Sequence, residues 1–165
     1  MLVNGHELRA WASLPGADLT GASLSGMNLT RIDLEDAQLS GADLSGSDLT
    51  AATLRSAHME NANLSGAVLK AASLKSASLR GASLVGADLS DAHLCNSDCS
   101  GADFTGALLV EGDLNSVDLT DADLTGADLS GAFLVNAILE GANLNGVLWD
   151  DATRWPEGFA PPKSV

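Results

Sequence analysis

Tyrosine is absent from this 165-residue chain, and aromatic residues make up only 4% of it. An ordinary mixed core of this size would use more large rings, so the 45% of hydrophobic residues must pack in another way. Basic residues are also scarce, with 8 Lys and Arg against 22 Asp and Glu and a net charge of −14. An acidic surface repels nucleic acid and anionic lipid, so neither direct nucleic-acid binding nor membrane association is expected. No run approaches the roughly 18 apolar residues of a membrane span. The opening residues, Met1 to Gly5, show no apolar run behind a basic segment, as a signal peptide would. With only two cysteines, Cys95 and Cys99, a reduced, cytoplasmic protein is the expectation.

What is present is a repeat. Stepping by five from Leu14 to Trp149 reaches 28 positions, of which 24 are Leu; the others are Met59, Cys99, Phe104 and Trp149. Two residues before each stop, 21 of the 28 are Ala. No insertion or deletion breaks this phase. A period of five fits neither a helix nor a plain strand. It fits a short extended piece followed by a corner. The Leu and the Ala then point inward, the residue between them points outward, and the two residues after the Leu make the corner. The outward slot is mostly Asp, Asn, Ser or Thr.

Units such as Ala42-Asp43-Leu44-Ser45-Gly46 and Ala127-Asp128-Leu129-Ser130-Gly131 resemble the pentapeptide-repeat family. The resemblance covers about residues 12–149. It implies an all-β fold, a right-handed quadrilateral parallel β-helix with four pentads per coil and about seven coils. The glycines support that coil length independently. Gly26, Gly46, Gly66, Gly86, Gly106, Gly126 and Gly146 recur at a spacing of 20 on one corner. Five of seven positions on the next corner are Gly, and the remaining two corners have one each. Since Gly permits φ > 0, the Gly corners are expected to use type II turns and the others a different turn. At about 4.8 Å per stacked strand the rod should be roughly 34 Å long.

The organisation expected is an N-terminal cap over 1–11, the β-helix over 12–149 and a C-terminal capping tail over 150–165, where the register is lost. Asn4 with Glu7 has the spacing of a helix start, and Leu2, Leu8 and Trp11 are positioned to cover the first coil. Trp155, Phe159 and the nearby prolines suggest a tail that folds back.

Charge and apolar residues are unevenly spread. Residues 61–87 carry Lys70, Lys75 and Arg80 with no acid, whereas residues 88–151 carry 13 acids and no base. The outward slot accounts for 11 of the 22 acids. A candidate acidic surface comprises Asp103, Glu111, Asp113, Asp118, Asp121, Asp123, Asp128 and Glu140. Several positions that should be polar are apolar instead. Leu108, Val110 and Leu148 share one face, Phe133 and Val135 another, and Ile138 lies on the next. These six form a candidate interface. Two readings stay open: a homodimer through the C-terminal end, or burial of the same surface under the tail.

His93, Cys95, Cys99 and Asp98 lie close in sequence, but the register turns Cys99 inward and Cys95 outward, so no metal site is expected. No nucleophile–base arrangement and no phosphate-cradling loop stands out, so neither enzymatic activity nor a cofactor is expected. The resemblance implies a protein-interaction scaffold with an unidentified protein partner. Certain family members are acidic mimics of DNA that bind DNA gyrase, and this is the alternative. The basic belt and the lack of a protruding loop stand against it.

Overall fold

Backbone hydrogen bonding explains why this pentad builds a prism. The computed structural model describes residues 2–3 and 5–163. Each outward residue pairs in parallel with the outward residue 20 later, from Ser13 with Asp33 through to Asp128 with Leu148. The outward N–H donates back to the preceding coil, as from Asp33 to Ala12, and the inward Leu donates forward, as from Leu14 to Asp33. The corner residue two after the Leu also donates forward, as from Gly16 to Glu35. The Ala N–H then closes the turn onto the Leu carbonyl, as from Ala17 to Leu14.

One N–H per pentad remains, that of the residue just after the Leu. An outward Asp or Asn, present in 14 of the 28 pentads, satisfies it where it occurs. All eleven Asp in outward slots accept from the backbone N–H two residues on, as Asp103 does from Thr105 at 2.9 Å. Asn28, Asn63 and Asn143 do the same. In those pentads the outward side chain completes the accounting of backbone donors.

The result is the right-handed quadrilateral β-helix expected. We number its faces by their first outward residue: face 1 begins at Ser13, face 2 at Asp18, face 3 at Ser23 and face 4 at Asn28. Inward Leu and Ala fill the interior, and Leu19 through Leu134 are fully buried in almost unbroken succession. Phe104 and Cys99, on adjacent faces, are also fully buried.

The corners differ from the sequence reading. Gly and non-Gly corners share one conformation. Arg31, Asp36, Ala51, Asn61 and Glu111 have φ between 55° and 57°, close to Gly26 at 65° and Gly46 at 62°. Every corner closes with the same hydrogen bond and has positive φ at its third residue, the signature of a type II turn. Glycine is thus favoured at the corners, and other residues occupy them at a conformational cost of about 1–2 kcal/mol.

Both ends also differ from expectation. Among the described residues near the N-terminus there is no helix. Strand β1 (Leu2–Val3) pairs antiparallel with β2 (His6–Glu7). Asn4 lies outside the described residues, as does the side chain of Leu2. Leu8 is buried, but Trp11 is 67% exposed and covers no core. At the C-terminus the register slips by one residue and resumes. Arg154 pairs with Phe133, its N–H donating to Ala132 while Leu134 donates back to it. Thr153 is buried and Trp155 packs against the core.

Candidate interaction surface

The six apolar candidates occupy the C-terminal coils of three faces. Leu108 and Leu148 project from face 4, Phe133 and Val135 from face 1 and Ile138 from face 2. All five are exposed, Ile138 by 48% and Phe133 by 45%; Val110 is half-buried. The tail does fold back, but over a different surface. Trp155 stacks on Phe159 and meets Trp149 edge-on, and the Trp149 indole N–H donates to the Pro162 carbonyl at 2.9 Å. These contacts carry the tail across the end of the prism, over Leu139 and Trp149, and leave Phe133, Val135 and Ile138 uncovered. Phe133 itself is not at the open edge, because Arg154 pairs with it.

Four of these residues, Leu108, Phe133, Ile138 and Leu148, stand in outward slots, a position that holds the Asp or Asn acceptor in 14 of the 28 pentads. Other groups replace it in two cases: Asn115 Oδ1 accepts from Val135 N–H, and Thr153 Oγ1 from Asp150 N–H. Among the described residues no such acceptor is seen for the N–H of Val110 or Glu140.

The structure brings together two groups that the sequence leaves on separate faces. Gly131, at the corner between faces 4 and 1, opens a notch of about 340 Å³. Val110 and Phe133 line it together with Glu111, Ser130, Asp150 and Arg154. A Cβ at residue 131 would press on the Glu111 side chain at 3.1 Å.

The eight candidate acids do not form one patch. Asp103 and Asp123 stack on face 3, Asp118 and Glu140 lie on face 2, Asp113 on face 1 and Asp128 on face 4; Glu111 and Asp121 are at corners. They form a girdle. Hydroxyl and backbone hydrogen bonds from Thr120 and Thr125 hold Asp118 and Asp123 below the usual carboxylate range. Asp118 and Asp121 line a groove of about 680 Å³ with Glu60, Arg80 and Asp98. Burial acts to raise the Glu60 carboxyl, but hydroxyl hydrogen bonds from Ser40 and Ser78 outweigh it and hold the group at about 2. The basic belt is largely neutralised along the stack, with Lys70 meeting Asp88 at 3.0 Å and Arg80 meeting Asp98 at 3.7 Å.

Cys95, the corner residue just after the inward Leu94 and expected to face out, is instead buried. It lies in a recess with Lys75, His93 and Asp113. Burial, reinforced by Asp113, raises its thiol pKa, and full burial pushes Cys99 up to about 12. Among the described residues no three metal-ligating side chains converge.

Sequence reasoning missed one exposed feature. Trp11 lies on the same corner as Arg31, and the guanidinium stacks on the indole, 4.6 Å from its centroid. The signal was available, since Trp11 and Arg31 are 20 residues apart, one coil.

A profile for pentapeptide repeats (8 copies) matches residues 12–50, 32–70, 47–84, 72–109 and 118–147, more than half of the chain. No curated protein matches. Among solved structures, the chain is similar to HetL, a pentapeptide repeat protein involved in heterocyst differentiation regulation from the cyanobacterium Nostoc sp. strain PCC 7120. That match has 36% identity and a TM-score of 0.58, and covers 82% of this chain and 64% of HetL. The chain thus spans somewhat under two thirds of HetL. Similarity extends to alr5209, a pentapeptide repeat protein of Nostoc PCC 7120, at 33% identity and TM-score 0.33, covering 81% of this chain and 77% of that one. QnrB1, a plasmid-mediated fluoroquinolone resistance protein, matches at 21% identity and TM-score 0.44, covering 87% of this chain and 92% of that one. Among the described residues no helix is long and apolar enough to cross a membrane. With the five-residue period, the 20-residue coil and the profile match in agreement, the chain belongs to the pentapeptide repeat family.

Proposed function

We propose that this protein is a non-enzymatic, cytoplasmic protein-interaction scaffold whose contact surface is the apolar C-terminal region of faces 4, 1 and 2. One observation carries the reading. Leu108, Phe133, Ile138 and Leu148 place exposed apolar side chains in the outward slot, where half of the pentads carry an Asp or Asn that accepts from the backbone. Exposing four apolar groups there, two of them, Leu108 and Ile138, with no replacement acceptor seen among the described residues, serves contact with another surface rather than the fold. The test is affinity capture from the native host with quantitative mass spectrometry, comparing the wild type with Phe133→Asp/Ile138→Asp. The expected result is a partner held by the wild type and lost from the folded variant. Equal recovery by both would overturn the assignment of this surface.

A second reading, an acidic mimic of DNA acting on gyrase, draws on charge density. Residues 88–151 carry 13 acids over 3.2 coils, which at about 4.8 Å per coil is one charge per ~1.2 Å of axis. Duplex DNA carries one per about 1.7 Å. A supercoiling assay decides. Inhibition at micromolar protein, weakening as salt rises, supports mimicry; none at tens of micromolar removes it.

A further inference from the structure

We infer that two copies of this chain associate side by side and antiparallel along the corner between faces 4 and 1, with Trp11 of each copy seated in the Val110–Phe133 notch of the other. That corner carries, in order, Trp11, Arg31, Ala51, Ala71, Asp91, Glu111 and Gly131. Its two ends are complementary. At one end stands Trp11, the most exposed large hydrophobic residue described, at 67%. Six coils away, about 29 Å at 4.8 Å per coil, Gly131 opens a notch between Val110 and Phe133, lined also by Ser130, Asp150 and Arg154, with a volume of about 340 Å³, enough to receive an indole.

The charges flanking knob and notch also match. Arg31 holds its guanidinium carbon over the Trp11 ring, 4.6 Å from the centroid, beside the knob where it can meet a carboxylate. Among the described residues it makes no ion pair. Glu111, beside the notch, likewise has no ion-pair or side-chain hydrogen-bond partner among them. An antiparallel two-fold that places residue 11 opposite 131 places 31 opposite 111. It sets Ala51 against Asp91 and brings Ala71 against Ala71 of the second copy at the axis. The middle of the ridge is thus short enough for the corners to approach. An isologous contact makes each pairing twice.

An end-on dimer through the last coil is a different arrangement. It would leave Trp11 and Ala71 far from the contact, and the tail already lies across that end. The inference shares Val110 and Phe133 with the scaffold reading, but self-association of the pure protein and capture of a different protein are read separately, so their failures can be told apart.

Sedimentation and light scattering across concentration test it. The expected mass rises from 16.7 kDa to twice that value. Trp11→Ala, Arg31→Glu and Glu111→Arg should each weaken the dimer at least tenfold, and Arg31→Glu/Glu111→Arg together should restore it. Ala71→Cys should give a disulfide-linked dimer under mild oxidation, whereas the wild type, with its native thiols buried, should not. Circular dichroism confirms folding of each variant, and the Ala71→Cys cross-link stands even if Trp11→Ala misfolds. A monomer up to millimolar concentration, a dimer indifferent to charge reversal at residues 31 and 111, or failure of Ala71→Cys to cross-link would each overturn the inference.

Discussion

At the scale of the residue, each position in the pentad answers one physical demand, and substitutions should read those demands separately. Leu84 is fully buried in the middle of the stack. Leu84→Asp should abolish the cooperative thermal transition, because an unpaired charge would replace a core side chain. A melting temperature within a few degrees of wild type would refute the inward register. The corners make a subtler demand. Gly46 has φ of 62° and open space where a Cβ would sit, so Gly46→Ala should cost about 1 kcal/mol from backbone conformation alone. Ala51→Gly, at φ 55°, should lie between neutral and about 1 kcal/mol more stable, as relief of the left-handed strain competes with the entropy of glycine in the unfolded chain. Urea denaturation of both variants checks the signs. The inward residues were legible because their signal repeats 28 times. The turn conformation was not. Residue identity at a corner reports preference for positive φ, and the hydrogen-bonded neighbours impose it even on Arg31 and Asp36.

At the scale of the element, the tail was legible only in outline. Trp155 and Phe159 pointed to a cap, but the slip of one residue that returns Thr153, Arg154 and Trp155 to the frame leaves no periodic trace in so short a stretch. The six apolar positions were found from sequence because each breaks a pattern. Their meeting at a notch was not, because it depends on which corners adjoin in three dimensions. Trp155 offers a test of the cap. Its ring packs on Trp149 and Phe159, yet its buried N–H has no hydrogen-bond partner among the described residues. Trp155→Phe should therefore stay within about 1 kcal/mol of wild type, whereas Trp155→Ala should lose about 2–3 kcal/mol. Equal losses in chemical denaturation would show that the indole N–H, and not the ring's packing, matters.

At the scale of the whole molecule, acid sensitivity follows from how the carboxylates are held. Glu60 sits at about 2 in the folded protein against an ordinary 4.5, and Asp43, Asp48, Asp118 and Asp123 are shifted in the same direction. A carboxyl whose folded pKa is depressed stabilises the fold above its unfolded pKa, and that stability is lost as pH falls through the folded value. Melting temperature should therefore hold from neutral pH to about 5 and fall steadily towards 2. Glu60→Gln should be less stable than wild type at pH 7, and the gap should close by pH 2. A gap that is constant with pH would show that Glu60 carries no such linkage.

The shared geometry of the corners has an evolutionary reading. Since no corner requires its own kind of turn, removing one pentad leaves a backbone that still closes, while everything beyond the deletion rotates by a quarter turn relative to everything before it. Deleting 71–75 should give a protein that melts cooperatively, with its C-terminal decoration moved round by one face. Trp11 and the Phe133 notch would then no longer lie on one line. A lineage built on this plan can re-aim half of its surface in a single genetic event without designing a new core.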